Sequence, residues 1–390
     1  MSDFVPYQPS LPAGLPSGYP LPSPQRPRAL MVLVWGALVL LLAGCGLETF
    51  AVIAGETGPA GLIGGVVLAS LPVFPVTAVF LWLDRYEAEP TSLLAFAFAW
   101  GAGVATFGAL VINTASVHEI QQAGGDPTTA AIVIAPVVEE SLKGLAVLLI
   151  LLARRREFDG IVDGIVYAGL VGIGFAFVEN VLYLGRALQD HGGSTAVFVF
   201  ILRCVVSPFA HPLFTAATGV GVGIAARSPR RLVRLVAPIG GWCLAVVLHG
   251  AWNLSASSGL QGFVSVYVIV QLPLFAAFGA LAVLARRREG QLIARHLAVY
   301  CSTGWLSHDE VGMLGSLRGR RDARNWARRT GGRDARRAMR DFQELGSELA
   351  FLRERMVHGT ATPDAREKEY AMLAAMSALR GRFLPDWVKG

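Results

Sequence analysis

Residues 129–153 read TAAIVIAPVVEESLKGLAVLLILLA, an apolar stretch interrupted near its centre by three charged side chains. About 20 consecutive apolar residues are enough to cross the hydrocarbon core of a bilayer as a helix. The arginine run 154–156 follows directly and ends the stretch. The stretch therefore predicts a membrane-spanning helix that carries Glu139, Glu140 and Lys143 inside the membrane.

The composition of the whole chain agrees with this prediction. Of the 390 residues, 53% are hydrophobic and 16% are charged, whereas soluble domains carry about 25% charged residues. This difference excludes an ordinary water-soluble enzyme. The net charge of +6 does not indicate nucleic-acid binding, because membrane proteins gather cationic residues on their cytoplasmic loops, and we expect no nucleic-acid partner.

Eight stretches of the chain are long and apolar enough to cross a bilayer. They lie at 30–54, 61–83, 92–116, 129–153, 161–184, 196–226, 236–255 and 262–285. Because lipid cannot hydrogen-bond exposed backbone groups, these stretches should be helices. The predicted fold class is all-α, a polytopic bundle of about eight transmembrane helices with a small cytoplasmic helical module after it. Pro208 and Pro212 predict a kink or tilt in the sixth stretch.

The arginines predict the orientation of the bundle. They concentrate on alternate connections, at 26–28, 85, 154–156, 227–234 and 286–288, and the intervening connections contain only Arg186. Cytoplasmic loops carry the excess of positive charge. We therefore expect a multi-pass protein of a bacterial inner (plasma) membrane with both termini in the cytoplasm.

The polar ends of the chain predict two further domains beside the membrane domain 29–286. Residues 1–28 are rich in proline and lack an apolar period, which is typical of a disordered tail, here cytoplasmic. Residues 287–390 form an Arg-rich helical cytoplasmic domain that includes a capping box of Ser307 and Glu310. A helical period then passes through Phe342, Leu345, Leu349 and Leu352, and another helix is expected after Pro363.

Two features near the N-terminus and in the C-terminal domain stay open on the sequence alone. Residues 42–45, LAGC, resemble a lipoprotein cleavage box, but the apolar run continues beyond Cys45, which favours an uncleaved helix. The C-terminal arginines indicate a solvated face or attraction to anionic lipid, with a partner-binding or nucleic-acid role of this module as the alternative.

Charged residues inside the predicted spans need a physical reason, because each costs roughly 2.5–3.5 kcal/mol at the bilayer centre. On a helix, Lys143 can reach both Glu139 and Glu140, while the two carboxylates point about 100° apart. A buried ion pair that only specifies packing is one interpretation. Two acids with one base leave an excess carboxylate, which favours a lined cavity.

Polar side chains in three other spans reach a similar depth. Glu179 and Asn180 lie in the fifth span, and His249 and Asn253 share a face of the seventh. In the sixth, a polar stripe runs through Arg203, Ser207, His211 and Thr215 at steps of four. We expect the glutamates and histidines to meet between the bilayer centre and its outer boundary. Such a layer suits peptide hydrolysis, since a desolvated glutamate can activate water and His or Asn can stabilise an oxyanion. A proton relay or a transporter would use the same residue types.

Six motifs in this order resemble the PrsW family of intramembrane proteases, relatives of the CAAX prenyl proteases. They are LDRYEAEP (83–90), EESLK (139–143), FDGIVDG (158–164), FAFVENVLY (175–183), SPFAHP (207–212) and HGAWN (249–253). The resemblance runs from about residue 60 to 285. It implies that residues 29–286 form a protease domain and leaves both ends of the chain unassigned.

The resemblance also implies the site residues. The catalytic set would be Glu139, Glu140, Glu179, His211 and His249, supported by Lys143, Asn180, Arg203 and Asn253. We favour Glu140 as general base. A divalent metal such as zinc, held by Glu140, Glu179, His211 and His249, is the alternative, although no His-Glu-x-x-His helix occurs.

The implied activity is an intramembrane endopeptidase that cleaves membrane-anchored proteins near the outer face of the bilayer. A single-span regulator such as an anti-sigma factor, cut in a site-1 step, is the expected kind of substrate. The competing hypothesis is a non-proteolytic transporter, channel or scaffold that uses the same polar cavity.

Overall fold

The computed structural model describes residues 28–86, 89–155, 158, 160–190 and 192–384. Every regular element in these ranges is helical, which confirms the all-α prediction. The predicted disordered tail lies outside the described residues, apart from Arg28.

The chain divides into two compact units. The first, here called the membrane unit, contains the described residues of 28–84 and 89–282. The second, here called the C-terminal unit, contains the described residues of 283–390 together with Arg85 and Tyr86.

Ten helices begin in the membrane unit, and the last of them continues into the C-terminal unit. They are α1 (Arg28–Leu83), α2 (Thr91–Trp100), α3 (Thr106–Gln122), α4 (Ala135–Ala153), α5 (Ile161–Asp190), α6 (Gly192–Phe200), α7 (Ala210–Arg227), α8 (Arg231–Ser257), α9 (Gly259–Val266) and α10 (Leu272–Leu297). Wider π-helical turns occupy Gly101–Ala105, Ala130–Ile134, Ile201–Val206 and Tyr267–Gln271.

Six helical stretches within the described part of the chain are long and apolar enough to cross a membrane. The first, Trp35–Leu83, covers two predicted spans, which meet at a kink where Gly58 has φ 64° and ψ 170°. The predicted span 129–153 is helical too, but its three charged residues set it apart from the six. All eight predicted spans therefore correspond to helical segments.

The outer surface of the membrane unit is apolar. Leu40, Leu152 and Ile269 expose 75%, 77% and 73% of their surface. Large apolar side chains at this exposure would be costly in water, and contiguous patches of them mark a lipid or protein contact. Together with the length of the helices, this surface defines a multi-pass membrane protein.

Helix α5 lies at the centre of the membrane unit, since 83% of its most apolar stretch is buried. It packs against α7 at very short range through two glycines. A Cβ atom at Gly164 would lie 2.0 Å from the carbonyl oxygen of Gly219, and one at Gly219 would lie 2.1 Å from that of Gly164. Small residues allow helix backbones to approach this closely in membranes, and Glu179 of α5 contacts His211 of α7 across the same pair of helices.

The sixth predicted span is interrupted, as its prolines predicted. Its π-helical turn ends at Val206, and α7 begins at Ala210 after the break that contains Pro208. The expected single stripe therefore lies on two segments, with Arg203 before the break and His211 and Thr215 after it.

The C-terminal unit is a helical module with a core of its own. After α10 come α11 (Val299–Ser302), α12 (His308–Leu314), α13 (Leu317–Val357) and α14 (Ala365–Phe383). The capping box of Ser307 and Glu310 and the helix after Pro363 are both confirmed. Within its core, the buried guanidinium of Arg380 lies 2.7 Å from a carboxylate oxygen of Glu310.

Tyr86, from the first of the six motifs, is part of this core. Its carbonyl oxygen accepts hydrogen bonds from Arg320 Nη1 at 2.8 Å and from Ser347 Oγ at 2.7 Å. Its hydroxyl donates to the carbonyl of Gly315 at 3.0 Å. One residue of the motif, Tyr86, is therefore buried in the core of the C-terminal unit, which the sequence did not indicate.

Candidate active site

Helix α4 places two carboxylates around one buried ammonium group. The Nζ of Lys143 lies 2.9 Å from Glu140 Oε1 and 3.3 Å from Glu139 Oε2. It also lies 3.7 Å above the ring of Phe175 on α5, so a cation–π contact stabilises the same charge. The i to i+3 and i to i+4 contacts expected from the sequence are both present.

The carboxylate of Glu140 has donors on both oxygens and is completely buried. Oε1 accepts from Lys143 and lies 3.0 Å from His249 Nδ1, while Oε2 accepts from Thr215 Oγ1 at 2.9 Å. Donors on both oxygens fix this carboxylate in position. Glu140 is thus placed to fix its neighbours, with no oxygen left facing a substrate.

Glu139 is held more loosely. Its Oε1 accepts from Asn113 Nδ2 at 3.3 Å, and its Oε2 lies 3.8 Å from His249 Nε2. Its side chain keeps 9% of its surface exposed, against none for Glu140. Of the two neighbouring glutamates, Glu139 is therefore the one whose oxygens can meet a water molecule.

The second carboxylate–histidine pair joins α5 to α7. Glu179 Oε2 lies 2.8 Å from His211 Nε2 and also accepts from Arg203 Nη2. The Nε of Arg203 donates to Asn180 Oδ1 at 2.7 Å, and its guanidinium lies 4.1 Å above the ring of Tyr183. The arginine thereby fixes the position of the carboxylate that contacts His211.

Each histidine thus has a carboxylate of its own. Glu140 contacts His249 through Nδ1, and Glu179 contacts His211 through Nε2. A neutral imidazole that donates one ring N–H to a carboxylate carries a lone pair on its other nitrogen. The remaining nitrogens, Nε2 of His249 and Nδ1 of His211, lie toward Glu139 and Lys143 respectively.

These groups fit a metal ion in ligand type and spacing. One donor atom each from Glu139, His211 and His249 lies within 4.8 Å of the others. Two histidines and one carboxylate form a common ligand set of catalytic zinc, and ligating histidines are usually oriented by outer carboxylates such as those of Glu140 and Glu179. The ligand set contains Glu139, where the sequence analysis had named Glu140 and Glu179.

Lys143 competes with a metal for the same place. Its ammonium lies 3.3 Å from Glu139 Oε2 and 3.2 Å from His211 Nδ1, two of the three ligand residues. Like charges at such distances repel strongly in a medium of low dielectric constant. Metal binding therefore requires Lys143 to move away from these two groups.

Sequence reasoning missed Asn113 and did not assign a role to Thr215. Asn113 lies in α3 and contacts Glu139, and Thr215 lies in α7 and contacts Glu140. A single amide in the apolar stretch 92–116 was the available signal for Asn113. Asn253, predicted as a supporting residue, instead donates to the carbonyl of Ala131 at 2.8 Å.

Aromatic rings enclose the two imidazoles. The rings of His211 and His249 meet edge to face at 5.0 Å, and Phe214 stacks on His249 with centroids 5.4 Å apart. Phe175 lies 5.4 Å from His211 on the other side. This apolar wall lowers the local dielectric constant and strengthens the interactions of the charged groups inside it.

A separate polar cluster surrounds the first and third motifs. The backbone N–H of Glu89 donates to Asp84 Oδ2 at 2.9 Å, and the hydroxyl of Tyr167 donates to the Glu89 carboxylate. Burial raises the pKa of Asp84 to about 8. Asp163 lies in the first turn of α5 and accepts from the N–H of Gly160, as in a capping box, while Asp159 of the same motif lies outside the described residues.

Fold and site together define a class: a polytopic helical membrane protein with a buried carboxylate–histidine centre. Residues 89–278 match the family described as PrsW family intramembrane metalloprotease. The chain belongs to this family. It is 33% identical to Protease PrsW of Bacillus subtilis over 200 residues, which is 50% of this chain and 79% of the relative.

Two other relatives match over a smaller share of their length. Protease PrsW of Geobacillus kaustophilus is 32% identical over 167 residues, 42% of this chain and 64% of the relative. Protease PrsW of Clostridioides difficile is 29% identical over 152 residues, 38% of this chain and 62% of the relative. The chain thus spans less than two thirds of these two proteins. No solved structure matches.

Proposed function

We propose that the protein is an intramembrane endopeptidase in which Glu139, His211 and His249 bind and activate the water molecule that attacks the peptide bond. The observation that carries this proposal is the arrangement of two carboxylate–histidine pairs around a less constrained glutamate inside an apolar membrane unit. The name that the relatives share, Protease PrsW, supports the same reaction class.

Hydrolysis requires a proton acceptor for water and a donor for the developing oxyanion. In the proposed reaction, Glu139 takes a proton from water as the water oxygen bonds to the peptide carbonyl carbon. The carbon–nitrogen bond then breaks, and the leaving nitrogen receives the proton that Glu139 took from water. Glu140 and Glu179 hold the two imidazoles in place, and the ammonium of Lys143 offsets the negative charge of the adjacent carboxylates.

Glu139 replaces Glu140 as the proposed base because of its contacts. Both oxygens of Glu140 already accept hydrogen bonds at 2.9–3.0 Å. The contacts of Glu139 are 3.3 Å or longer. A proton acceptor needs an oxygen that water can reach, and the longer contacts of Glu139 favour it over Glu140.

If the protein binds a metal, Glu139, His211 and His249 are the residues that would hold it, and zinc is the ion that we propose to test. A divalent metal supplies, when bound, Lewis-acid polarisation of water and of the peptide carbonyl. Glu139 then acts as a ligand in the loaded site and as the base in the metal-free one. Zinc analysis of purified protein, with and without His211→Ala, distinguishes these two states.

We further propose a membrane-anchored substrate that is cut toward the outer face, with both termini of the protease in the cytoplasm of a bacterial cell. Glu179 precedes the end of α5 at Asp190, and His249 precedes the end of α8 at Ser257. The arginine pattern predicts that both of these helix ends face outward. A single-span regulator such as an anti-sigma factor, cut in a site-1 step, fits this geometry.

Reconstituted protein and co-expressed single-span proteins test the activity. Mass spectrometry of the products should find new peptide termini with wild type and with the control Glu119→Gln, whose exposed glutamate lies outside the site. Glu139→Gln should yield none. Solute flux or partner binding without new termini would instead identify a transporter or scaffold.

A further inference from the structure

The side chain of Gln271 is buried without satisfying its hydrogen-bonding groups. It is 1% exposed and closes the π-helical turn Tyr267–Gln271 that precedes α10. Among the described residues, neither its Nε2 nor its Oε1 has a hydrogen-bond partner. A buried amide without a partner destabilises a protein, and π-helical turns often lie at functional sites. The packing of the described residues therefore does not explain why an amide side chain is buried at this position.

A small cavity of about 20 Å³ lies beside this carboxamide. Its other walls are apolar and come from α7, α8 and α10, namely Leu213, Phe214, Leu248, Leu274, Phe275 and Phe278. A buried water normally makes about three hydrogen bonds, and these walls offer it only the carboxamide. A ligand that brings its own donor and acceptor and a small apolar group fits better.

A single side chain, that of Phe214, separates the cavity from the proposed active site. Phe214 lines it and also stacks on the ring of His249 with centroids 5.4 Å apart. Leu248 directly precedes His249, and Leu213 follows His211 by two residues. A group held at Gln271 would therefore lie close to the imidazoles.

We propose that Gln271 binds a peptide group of the substrate next to the scissile bond, with a small substrate side chain in the adjacent cavity. The carboxamide oxygen accepts from a substrate N–H, and the carboxamide nitrogen donates to a substrate carbonyl. A membrane-spanning substrate must unwind before it is cut, and the peptide groups that it frees have no water to bond in lipid. This inference rests on the proposed endopeptidase function, for which Gln271 acts as a substrate-binding residue.

Gln271→Leu tests the proposal because it keeps the volume of the side chain and removes both hydrogen-bonding groups. Binding is measured apart from cleavage, in the Glu139→Gln background. The probe is a fluorescent membrane-spanning peptide of leucine and alanine with lysines at both ends and one Ala-Gly pair. We expect Gln271→Leu to raise the Kd for this peptide about tenfold, the effect of losing one or two hydrogen bonds. The control Gln261→Leu, at an exposed position ten residues earlier, should leave Kd unchanged.

Thermal stability separates this role from a structural one. Removal of a buried amide that lacks a partner should raise the Tm of the free protein, whereas loss of an internal hydrogen bond would lower it. A lower Tm, or an unchanged Kd, overturns the assignment of Gln271. In a cleavage-competent protein, Gln271→Leu should raise KM more than it lowers kcat, and an unchanged KM also overturns it. If wild type binds the peptide but releases no new termini, and Gln271→Leu still raises the Kd, the endopeptidase proposal is refuted while the binding role of Gln271 stands.

Discussion

Glu140→Gln and Glu139→Gln should separate stability from activity, although the two glutamates are adjacent in sequence. Glu140 receives three donors at 2.9–3.0 Å and is fully buried. Its replacement removes one charge of a buried ion pair, which costs about 3–5 kcal/mol when the partner is left alone. Lys143 keeps Glu139 at 3.3 Å, so we expect a loss of about 2–4 kcal/mol.

The same substitution at Glu139 should lower the free energy of unfolding by less. Its hydrogen bonds are 3.3 Å long and its buried side chain keeps 9% of its surface exposed, so the loss should stay below about 1.5 kcal/mol. Its activity should fall by about 10²–10⁴, the range for removal of a general base.

Thermal unfolding of the purified variants in detergent, followed by the circular dichroism of the helices, measures the first effect. Glu140→Gln should lower Tm by about 5–10 °C, and Glu139→Gln should lower it by less than half as much. Cleavage at a temperature well below both transitions measures the second effect. The reasoning is refuted if the Tm of Glu140→Gln equals that of wild type, or if Glu139→Gln has the lower Tm of the two variants.

Three more substitutions test separate parts of the structure. Lys143→Met removes the ammonium that lies 3.2 Å from His211 and should tighten zinc binding more than about tenfold; an unchanged Kd in a chelator competition assay would contradict this. Arg203→Lys loses the double contact with Glu179 and Asn180 and should lower kcat about 10–100-fold, and full activity would count against the positioning role. The pKa of Asp84, raised to about 8 by burial, means that its neutral form stabilises the fold at low pH and that this stabilisation is lost as pH rises through about 8. Asp84→Asn should therefore flatten the fall in Tm from about pH 4 to about pH 8, between the pKa of the unfolded chain and that of the folded protein, and a slope equal to that of wild type would refute it.

Much of the architecture follows from the sequence because lipid leaves a chain few choices. Apolar length alone identified the helical segments, since only a helix satisfies every backbone group there. Helical spacing likewise predicted that Lys143 reaches both Glu139 and Glu140. These predictions involve one helix at a time, where the 3.6-residue period decides which side chains share a face.

The contacts between helices were harder to predict. Spacing placed His249 and Asn253 on one face but could not give the partners of that face: His249 meets the Glu140 carboxylate, while Asn253 meets the backbone of Ala131, nine residues earlier in the chain. The rotation of a helix depends on its packing against its neighbours. Close glycine contacts such as Gly164 with Gly219 set that packing, and they are visible only in the structure.

The roles of the two adjacent glutamates depend on the same long-range contacts. Thr215 and His249 come from other helices and occupy the oxygens of Glu140. The periodicity of α4 carries no information about these donors. The sequence could therefore name both glutamates as site residues but could not tell which one remains available to water.

Terminal mapping of a single-span membrane protein incubated with reconstituted enzyme tests the central claim most directly. Wild type should release two fragments with new termini inside or beside the membrane-spanning segment, and Glu139→Gln, folded to the same extent, should release none. Equal cleavage by wild type and Glu139→Gln would contradict the role of Glu139, and intact substrate with both would contradict the endopeptidase itself.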